Sequence, residues 1–324
     1  MSTIPFSVVT TCRNEMRSLP RWKQNILDQT RQPNELVIVD AFSDDGTFEY
    51  LLDWAEKDFR IKVLQKKGNA AIGRNYAIEN AQFEHILSTD MGVRLNEIWC
   101  EELIIPFEKD PTVEVVAGNT CIDTETIKSK VGWAEYYFEN GGFAKLEPGH
   151  VPGNRSIAYK KRIWEEIGRL PEQLTFYADD SVFGRQLVQN GYKFAFAPNA
   201  MTYWGRPSNL KQFFREQFVY GKGDGEAYIK TPKSVKFYLN KMIPAFFCPF
   251  FSGLINLIKK NTWKGVARAL DHGDLIAAFF IPILIFGKFY NHTKGYLVGY
   301  HLGQEKCKEV RLRINRDPGG FATI

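Results

Sequence analysis

In this 324-residue chain, the segment Ile86-Leu87-Ser88-Thr89-Asp90-Met91-Gly92 contains a short apolar run that is followed by a carboxylate. Two aliphatic residues bounded by Ser and Thr are typical of the end of a short buried strand, and Asp90 then lies at the strand tip. Open α/β sheets bind their ligands at the carboxyl ends of parallel strands, so an acid at this tip indicates a binding site. A simple turn cap is the alternative role for Asp90.

Strands and helices alternate on the N-terminal side of this segment. The apolar run from Glu35 to Asp40 is typical of a strand covered by helices on both faces, and it too ends in a carboxylate. Strands that are each followed by a helix indicate a doubly wound, mainly parallel α/β sheet with flanking helices. The predicted strands are residues 6–11, 35–40, 61–65 and 85–90, and the predicted helices are 19–29, 48–57 (with Thr47 as N-cap), a segment around 70–77, and 96–107.

After the predicted helix at 96–107, strands and helices no longer alternate regularly. Two adjacent acids, Asp179 and Asp180, open a helix that is predicted to run to about Asn190. The helix dipole favours acids at this end, so a purely structural role for the pair is an alternative. The other predicted elements are a helix at 161–168 and strands at 113–118, 153–159, 192–197 and 201–204, the last two as an antiparallel edge.

Composition narrows the class of protein. With 44% hydrophobic and 24% charged residues the chain is globular rather than disordered. Its five cysteines are scattered without a CxxC pair, which argues against both a disulfide framework and a zinc site. The N-terminus has no basic region followed by a long apolar core, so we expect the body of the protein on the cytosolic side.

The turn after the first predicted strand, residues 12–15, excludes two nucleotide-binding classes. It contains no glycine, whereas Rossmann dinucleotide sites and P-loops both need glycines there for close approach to phosphate. This argues against a dehydrogenase and a P-loop NTPase. Nucleotidyltransferases use a similar half-sheet, and the fold alone does not separate them from other nucleotide-dependent transferases.

The C-terminal region is basic and partly apolar. From Gly205 to Leu270 there are twelve Lys or Arg against three Asp or Glu. Together with many aromatic residues this indicates contact with an anionic membrane surface rather than nucleic acid, a solvated basic face being the alternative. A helix is predicted at 209–220, followed by a flexible glycine-rich loop at 221–225.

Two apolar segments follow in this region, residues 243–258 and 275–289. A 16-residue helix is about 24 Å long, which is shorter than the roughly 30 Å hydrocarbon core of a bilayer, and both segments contain proline. Spanning would also place a lysine-rich connection on the far side. We therefore expect helices in the membrane interface or a shallow re-entrant hairpin, with core helices as the alternative.

Several motifs, in their order and spacing over residues 5–225, resemble the family 2 glycosyltransferases, inverting enzymes of the GT-A fold. The more specific signal is Val37-Ile38-Val39-Asp40 followed by Ser43-Asp44-Asp45-Gly46-Thr47. Asp90-Met91-Gly92 occupies the DxD position, and Asp179-Asp180 lies where the family usually has Glu-Asp. The other matching segments are residues 8–15, similar to the first strand and turn, and 68–75, similar to the donor-side helix.

The resemblance implies roles for individual residues. Asp180 is expected to be the general base with Asp179 beside it, and Asp90 is expected to contact the ribose or a Mg or Mn ion. The donor nucleotide is expected to bind to Thr11, Asn14, Glu15, Asp40, Arg74 and Asp90, and the diphosphate or acceptor side is expected to involve Arg155, Gln212 and Arg215.

Two departures from the family pattern bear on these roles. Gly92 replaces the second Asp of DxD and has no side chain that could bind a metal ion. The resemblance therefore implies a divalent cation, but the residue that usually binds it is absent from this position. Gln212-Phe213-Phe214-Arg215-Glu216 is similar to the QxxRW motif of processive synthases but ends in Glu instead of Trp. This difference argues against processive polymer synthesis.

The sequence therefore predicts a GT-A catalytic domain at residues 1–205 and a basic, helical, membrane-associated region at 206–324. Within the catalytic domain, residues 1–120 are expected to bind the nucleotide sugar and 121–205 to supply the acceptor side and the base. The predicted activity is inverting transfer of a hexose from a nucleotide diphosphate sugar to a lipid-linked or polysaccharide hydroxyl, at the cytoplasmic side of a membrane. The alternatives are a catalytically silent nucleotide-binding scaffold and a nucleotidyltransferase.

Overall fold

The computed structural model describes residues 3–175 and 177–314, apart from the side chain of Asn261. Predictions that fall on residues 1–2, 176 and 315–324 lie outside the described residues. The chain forms two compact units. Unit 1 comprises the chain up to residue 121 with 144–172 and 179–204, and unit 2 comprises 122–143, 173–178 and the chain from 205 onward. The functional division at residue 205 stays a prediction.

Unit 1 is built on one eight-stranded sheet. Its strands are β1 (Phe6–Cys12), β2 (Glu35–Asp40), β3 (Ile61–Gln65), β4 (His85–Ser88), β5 (Val93–Leu95), β6 (Val115–Ile122), β7 (Ile157–Lys160) and β8 (Phe194–Trp204). The strand order is β3-β2-β1-β4-β7-β6-β8-β5. The first four strands pair in parallel, as predicted, whereas β7 is antiparallel to β4 and β6, and β5 is antiparallel to β8.

Helices cover both faces of this sheet, which explains its apolar strands. In β2, Leu36 and Ile38 pack into one buried cluster with Trp22 of a helix, and the alternate residues Val37 and Val39 pack into the other. Both faces of the strand are therefore core. The helices of unit 1 are α1 (Leu19–Leu27), α2 (Thr47–Lys57), α3 (Ala70–Glu79), α4 (Trp99–Lys109), α6 (Lys161–Glu166) and α7 (Asp179–Gln189).

Two local predictions in unit 1 were wrong. Residues 192–197 and 201–204 do not form two strands: residues 194–204 form the single strand β8, which continues through Pro198. The side chain of Asn96 donates to the backbone oxygen of Asn199 and accepts from the backbone N–H of Met201, so it holds the chain extended just beyond the proline. Thr47 is not the N-cap of α2: it is the first helical residue, and Asp45 accepts its N–H.

Unit 2 is helical. Its helices are α5 (Lys130–Phe138), α8 (Leu210–Ala227), α9 (Lys233–Leu239), α10 (Cys248–Leu257), α11 (Lys260–Asp271), α12 (Leu275–Lys306) and α13 (Lys308–Ile314). A buried core joins several of them through residues such as Tyr137 of α5, Phe213 of α8 and Ile281 of α12.

The predicted flexible loop at 221–225 was wrong, because α8 continues through these glycines to Ala227. A Cβ at Gly225 would overlap the backbone oxygen of Tyr296 in α12, and a Cβ at Gly299 would overlap the backbone oxygen of Lys222 in α8. Glycines four residues apart on both helices therefore allow close backbone packing. We call this contact the glycine seam, and its members are Gly221, Gly225, Gly295, Gly299 and Gly303.

The expectation that both apolar segments are short holds for the first and was wrong for the second. Residues 243–258 contain a 3-10 turn and the ten-residue helix α10. Residues 275–289 are only the first half of α12, whose 32 residues extend over about 48 Å. By length and composition alone α12 is able to cross a membrane, and no other helix in the described part of the chain meets that test.

Candidate active site

Asp40 lies buried at the tip of β2 and organises the turn that follows it. Its Oδ2 accepts the backbone N–H of Ser43 at 3.0 Å and an amide N–H of Gln65 at 3.1 Å. Its Oδ1 accepts the hydroxyl of Ser43 at 2.5 Å. Burial first, and then the charge of Asp40, raise the pKa of the neighbouring Cys12 thiol, which stays protonated.

The turns after β1 and β2 are joined by Asn14. Its backbone N–H donates to the hydroxyl of Ser43 at 2.8 Å, and its side-chain oxygen accepts the N–H of Asp44 at 3.0 Å. Thr11 donates its hydroxyl to the backbone of β2 and packs so closely against α3 that a Cβ at Gly73 would overlap it. The structure thus brings Thr11, Asn14 and Asp40 together at one edge of the sheet.

Arg74 of α3 connects the two ends of the predicted site. Its Nη2 lies 2.6 Å from Oδ1 of Asp90, just after β4, and its Nη1 lies 2.5 Å from Oδ2 of Asp179, the first residue of α7. Residues 74 and 179 are 105 positions apart in the chain. We call these three side chains, together with the adjacent Asp180, the Arg74 cluster.

The pKa values of the two acids that pair with Arg74 are shifted in opposite directions. Burial raises the pKa of Asp90, but the cations of Arg74 and Arg155 outweigh this effect, and the net pKa is below its usual value. Burial also raises the pKa of Asp179, and there it prevails over the attraction of Arg74, because Asp180 and Asp90 repel a third charge. Asp90 is thus the more firmly ionised of the two acids.

Asp180 is the member of the Arg74 cluster that Arg74 does not bind directly. Its side chain is partly exposed, and its Oδ1 accepts the backbone N–H of Ser181 at 2.7 Å. A Cβ at Gly153 would lie 3.2 Å from its Oδ2, so the absence of a side chain there leaves space next to this oxygen. Within the described residues Asp180 forms no ion pair, and its role as general base stays a prediction.

The N-terminal half of the sequence matches a known family. The profile named "Glycosyl transferase family 2" matches residues 7–168, half of the chain. The chain belongs to this family. The predicted resemblance and the predicted enzyme class, a glycosyltransferase, are confirmed.

Similar proteins of this family include polysaccharide synthases. Poly-beta-1,6-N-acetyl-D-glucosamine synthase of Staphylococcus aureus (strain COL) is 23% identical over 238 residues, which are 70% of this chain and 57% of that protein. The synthase of the same name from Staphylococcus epidermidis is 20% identical over 231 residues, 69% of this chain and 55% of that protein. The chain spans little more than half the length of these relatives.

Solved structures confirm the GT-A type of fold. The mannosyltransferase PcManGT from Pyrobaculum calidifontis, in complex with GDP-Man and Mn2+, superposes with a TM-score of 0.56 at 18% identity and covers 94% of this chain and 89% of that chain. Staphylococcus aureus TarS 1-349 in complex with UDP has a TM-score of 0.52 at 14% identity and covers 93% and 92%. At these identities the likeness concerns the fold alone.

Glu15 lies next to Gly92, the residue at the predicted DxD position. A Cβ at Gly92 would be 3.5 and 3.7 Å from the two carboxylate oxygens of Glu15. Burial raises the pKa of Glu15, a hydrogen bond from Ser18 lowers it, and the charge of Asp90 raises it again, with a net increase. Two carboxylates that repel each other beside a bare glycine are a suitable place for a cation.

The donor set fits a divalent cation that is shared with a diphosphate. Mg2+ prefers oxygen ligands and is commonly held by one or two carboxylates plus substrate phosphates. In the described ranges no group of three or more His, Cys, Asp or Glu side chains could hold a metal alone. Metal binding by Asp90 stays a prediction, and Glu15 is a second carboxylate beside it, since the charge of Asp90 raises the pKa of Glu15. The sequence named Glu15 only as a nucleotide contact, because the proximity of residues 15 and 92 is not visible in it.

Arg155, predicted on the diphosphate or acceptor side, lies next to Asp90. Its Nε is 3.7 Å from Oδ2 of Asp90, and its guanidinium stacks on the ring of Trp204 at 3.7 Å from the ring centroid. The ring fixes the plane of the guanidinium and leaves its charge available. Sequence reasoning missed Trp204, which ends the last strand and gave no signal beyond its position.

Gln212 and Arg215 belong to unit 2, where both are exposed on the first turns of α8, and their functional roles stay predictions. The unusual Glu216 of the QxxRW-like segment has a structural partner. It pairs at 2.9 Å with Arg206, whose side chain is 3% exposed and also pairs with Glu135. A Trp at this position would leave the buried Arg206 with one carboxylate instead of two.

Proposed function

We propose that this chain is an inverting glycosyltransferase that moves a sugar from a nucleotide diphosphate donor to an acceptor hydroxyl, with Asp180 as general base. The observation that carries the proposal is the Arg74 cluster. One buried guanidinium fixes an ionised acid, Asp90, and a second acid, Asp179, while the next residue, Asp180, forms no ion pair with any residue that the structure describes. With this arrangement, Asp90 can act at the donor while Asp180 accepts the proton of the acceptor hydroxyl.

In the proposed reaction the acceptor hydroxyl attacks the anomeric carbon of the donor sugar. The new carbon–oxygen bond forms as the bond to the diphosphate breaks, and the electron pair leaves with the nucleoside diphosphate. The hydroxyl proton passes to the carboxylate of Asp180, which must lie within hydrogen-bond reach of it. Asp179, held by Arg74, keeps the start of α7 in place and so positions the base.

The donor end of the proposal rests on unit 1. Asp40, Thr11 and Asn14 form the nucleotide pocket, and Arg155 faces the charge that develops on the leaving diphosphate. Asp90 and Glu15 would hold a Mg or Mn ion, which supplies further charge neutralisation at the phosphates. The complexes of PcManGT with GDP-Man and Mn2+ and of TarS with UDP support a donor of this class.

For the acceptor and the cellular location we propose a class of glycan and a membrane surface. Because relatives of the chain are named as synthases of poly-beta-1,6-N-acetyl-D-glucosamine, we propose a polysaccharide or lipid-linked glycan as acceptor. The basic helical region and its exposed apolar side chains support our proposal of a peripheral or monotopic position at the cytoplasmic face of a membrane. Transfer of one sugar per encounter fits the replacement of the QxxRW tryptophan by Glu216.

The test is a donor screen. Purified full-length protein is incubated with UDP-, GDP- and dTDP-sugars, with and without Mg or Mn, and with membrane lipid extracts as a source of acceptor. We expect nucleotide release from one donor class, dependent on metal and on extract, and a loss of roughly a hundredfold or more in Asp180→Asn. Asp53→Asn on α2 is the matched control, since Asp53 is exposed and pairs only with Lys57 on its own helix.

The outcomes separate the alternatives. Release that persists in Asp180→Asn would rule out Asp180 as the base. Nucleotide binding without any turnover, even with the extract present, would instead favour a silent scaffold. Release of pyrophosphate from a nucleoside triphosphate and a sugar phosphate would indicate a nucleotidyltransferase.

A further inference from the structure

We propose that unit 2 contains a second binding site, a cationic cavity that takes a phosphate ester whose head group carries a hydroxyl, at the end of a lipid. The cavity has a volume of about 460 Å3, within the usual range for small-ligand sites. Its lining includes Lys259, Lys264, Arg268, Asn256, Phe138 and Phe289. None of these residues belongs to the candidate active site of unit 1.

The charge of the cavity selects anions. Lys259 and Lys264 are exposed, and neither forms an ion pair within the described part of the chain. Arg268 uses its Nε and Nη2 to bind the backbone oxygens of Tyr137 and Phe138, at 2.8 and 3.1 Å, so no carboxylate neutralises it. The one acid in the lining, Glu139, is already paired with Lys288. Three cations therefore face a space without a free counter-charge.

A buried amide gives the site a second requirement. Asn256 is 8% exposed, and its amide nitrogen donates to the backbone oxygen of Ser252 at 2.8 Å. Among the described side chains and backbone groups its side-chain oxygen has no hydrogen-bond donor, and it is buried. This costs free energy unless a ligand or water supplies a donor. An ionised phosphate diester has no hydrogen to donate to this oxygen, whereas a hydroxyl on its head group has one. The cavity thus matches a hydroxyl-bearing phosphate ester better than a bare anion.

The surroundings of the cavity favour a lipid as the source of that ester. Ile258, next to Lys259, is 77% exposed, and Trp263, next to Lys264, is 59% exposed. Further exposed apolar side chains lie on the helices that supply the lining, namely Phe250 and Leu254 of α10 and Phe279 of α12. An apolar chain can pack on this surface while its anionic head enters the cavity.

The experiment measures binding of the full-length protein to vesicles by flotation. Phosphatidylcholine vesicles carry either phosphatidylglycerol or phosphatidylmethanol, which have the same single charge but differ in the head-group hydroxyls. We expect tighter binding to phosphatidylglycerol, and a loss of about thirtyfold in the double variant Lys259→Gln/Lys264→Gln. The preference for phosphatidylglycerol should disappear in Asn256→Ala.

A matched control separates the cavity from diffuse charge. Lys233→Gln/Lys236→Gln on α9 removes the same charge from exposed positions outside the cavity, and we expect it to change binding by less than about threefold. Equal losses in the two double variants, or equal binding of wild type to the two anionic lipids, would overturn the proposal. Donor turnover with detergent-solubilised extract as acceptor source should be unchanged in both double variants, so failure here is distinct from failure of the proposed transferase reaction.

A last arm identifies the source of the ester. Soluble glycerol 3-phosphate is added to the phosphatidylglycerol vesicles as a competitor. If it does not displace the protein, the apolar chain contributes to binding and the ligand is a lipid. If it displaces wild type from the vesicles, the cavity is a site for a free phosphate ester of the same chemistry, and the lipid part of the proposal is wrong.

Discussion

Arg74 shows how much of the site depends on one side chain. It is 9% exposed and has a carboxylate on each side, Asp90 and Asp179. Removing a buried partner leaves uncompensated charge, which usually costs more than the ion pair itself contributes. We expect Arg74→Met to lower the free energy of unfolding by about 3–5 kcal/mol, measured by urea denaturation, and to abolish donor turnover.

The control for this variant is Arg162→Met, which also removes an arginine with two carboxylate partners, Glu114 and Glu166, but at a surface position. Solvent screens such pairs, so little change in stability is expected. If the two variants were equally stable, the acids of the Arg74 cluster would have to be neutral in the folded protein.

His85, at the start of β4, makes stability depend on pH. Burial, and then the charge of Lys160, lower its pKa to about 4, and its ring packs edge-on against Phe107. In the unfolded chain its pKa is about 6.5. As pH falls from about 6.5 to 4, the unfolded state takes up a proton that the folded state does not, so the folded state loses stability, by about 2 kcal/mol.

We expect His85→Gln to make the free energy of unfolding less dependent on pH over this window, as measured by urea denaturation at several pH values. His301→Gln, at an exposed position, should leave the dependence as in wild type. An unchanged slope in His85→Gln would mean that the pKa of His85 is the same in the folded and unfolded states, and would contradict the lowered pKa.

The sequence located the individual acids better than their partners. Asp40, Asp90 and the pair Asp179-Asp180 were found because strand tips and helix starts can be recognised from local patterns. The pairing of Arg74 with Asp179 and the closeness of Glu15 to Gly92 join segments distant in the chain. Such contacts are decided by the packing of the sheet and its helices, which no local pattern contains.

At the scale of elements, helix propensity and helix packing predict opposite effects on stability when a glycine of the glycine seam between α8 and α12 is replaced by alanine. Alanine is favoured over glycine in a helix by about 1 kcal/mol, so Gly299→Ala should stabilise α12 by itself. A Cβ there would overlap the backbone oxygen of Lys222, however, and backbone cannot move away as a side-chain tip can. We expect a net loss of about 1–3 kcal/mol, seen as a lower thermal unfolding midpoint.

Val298→Ala is the matched control, because Val298 is the adjacent residue of α12 and is 41% exposed. It should change the midpoint little. A higher midpoint in Gly299→Ala would show that the two helices can separate without loss, and the seam would then not be a determinant of the fold.

The same seam explains why the loop prediction at residues 221–225 failed. Three glycines in five residues have low helix propensity, which predicts a loop when the segment is considered alone. A second helix with glycines at matching spacing makes the small residues favourable, and tertiary packing then overrides propensity. By contrast, β2 and β3 have the predicted bounds, because their apolar runs and their burial agree.

At the scale of the whole molecule, the last prediction concerns membrane association. Several large apolar side chains of unit 2 are exposed, among them Trp263 (59%), Leu275 (71%) and Phe279 (68%). Full burial of such a side chain contributes about 1.5–3 kcal/mol, so three of them together account for several orders of magnitude in partitioning. We expect Trp263→Ser/Leu275→Ser/Phe279→Ser to move the protein from the membrane pellet to the supernatant on cell fractionation.

Phe59→Ser, at a 98% exposed position of unit 1, is the control and should leave the distribution unchanged. Nucleotide release by the soluble triple variant should persist, since its substitutions lie outside the Arg74 cluster and the nucleotide pocket. A triple variant that stays in the pellet while folded would show that α12 is held by more than its exposed face, as expected for a helix that crosses the bilayer.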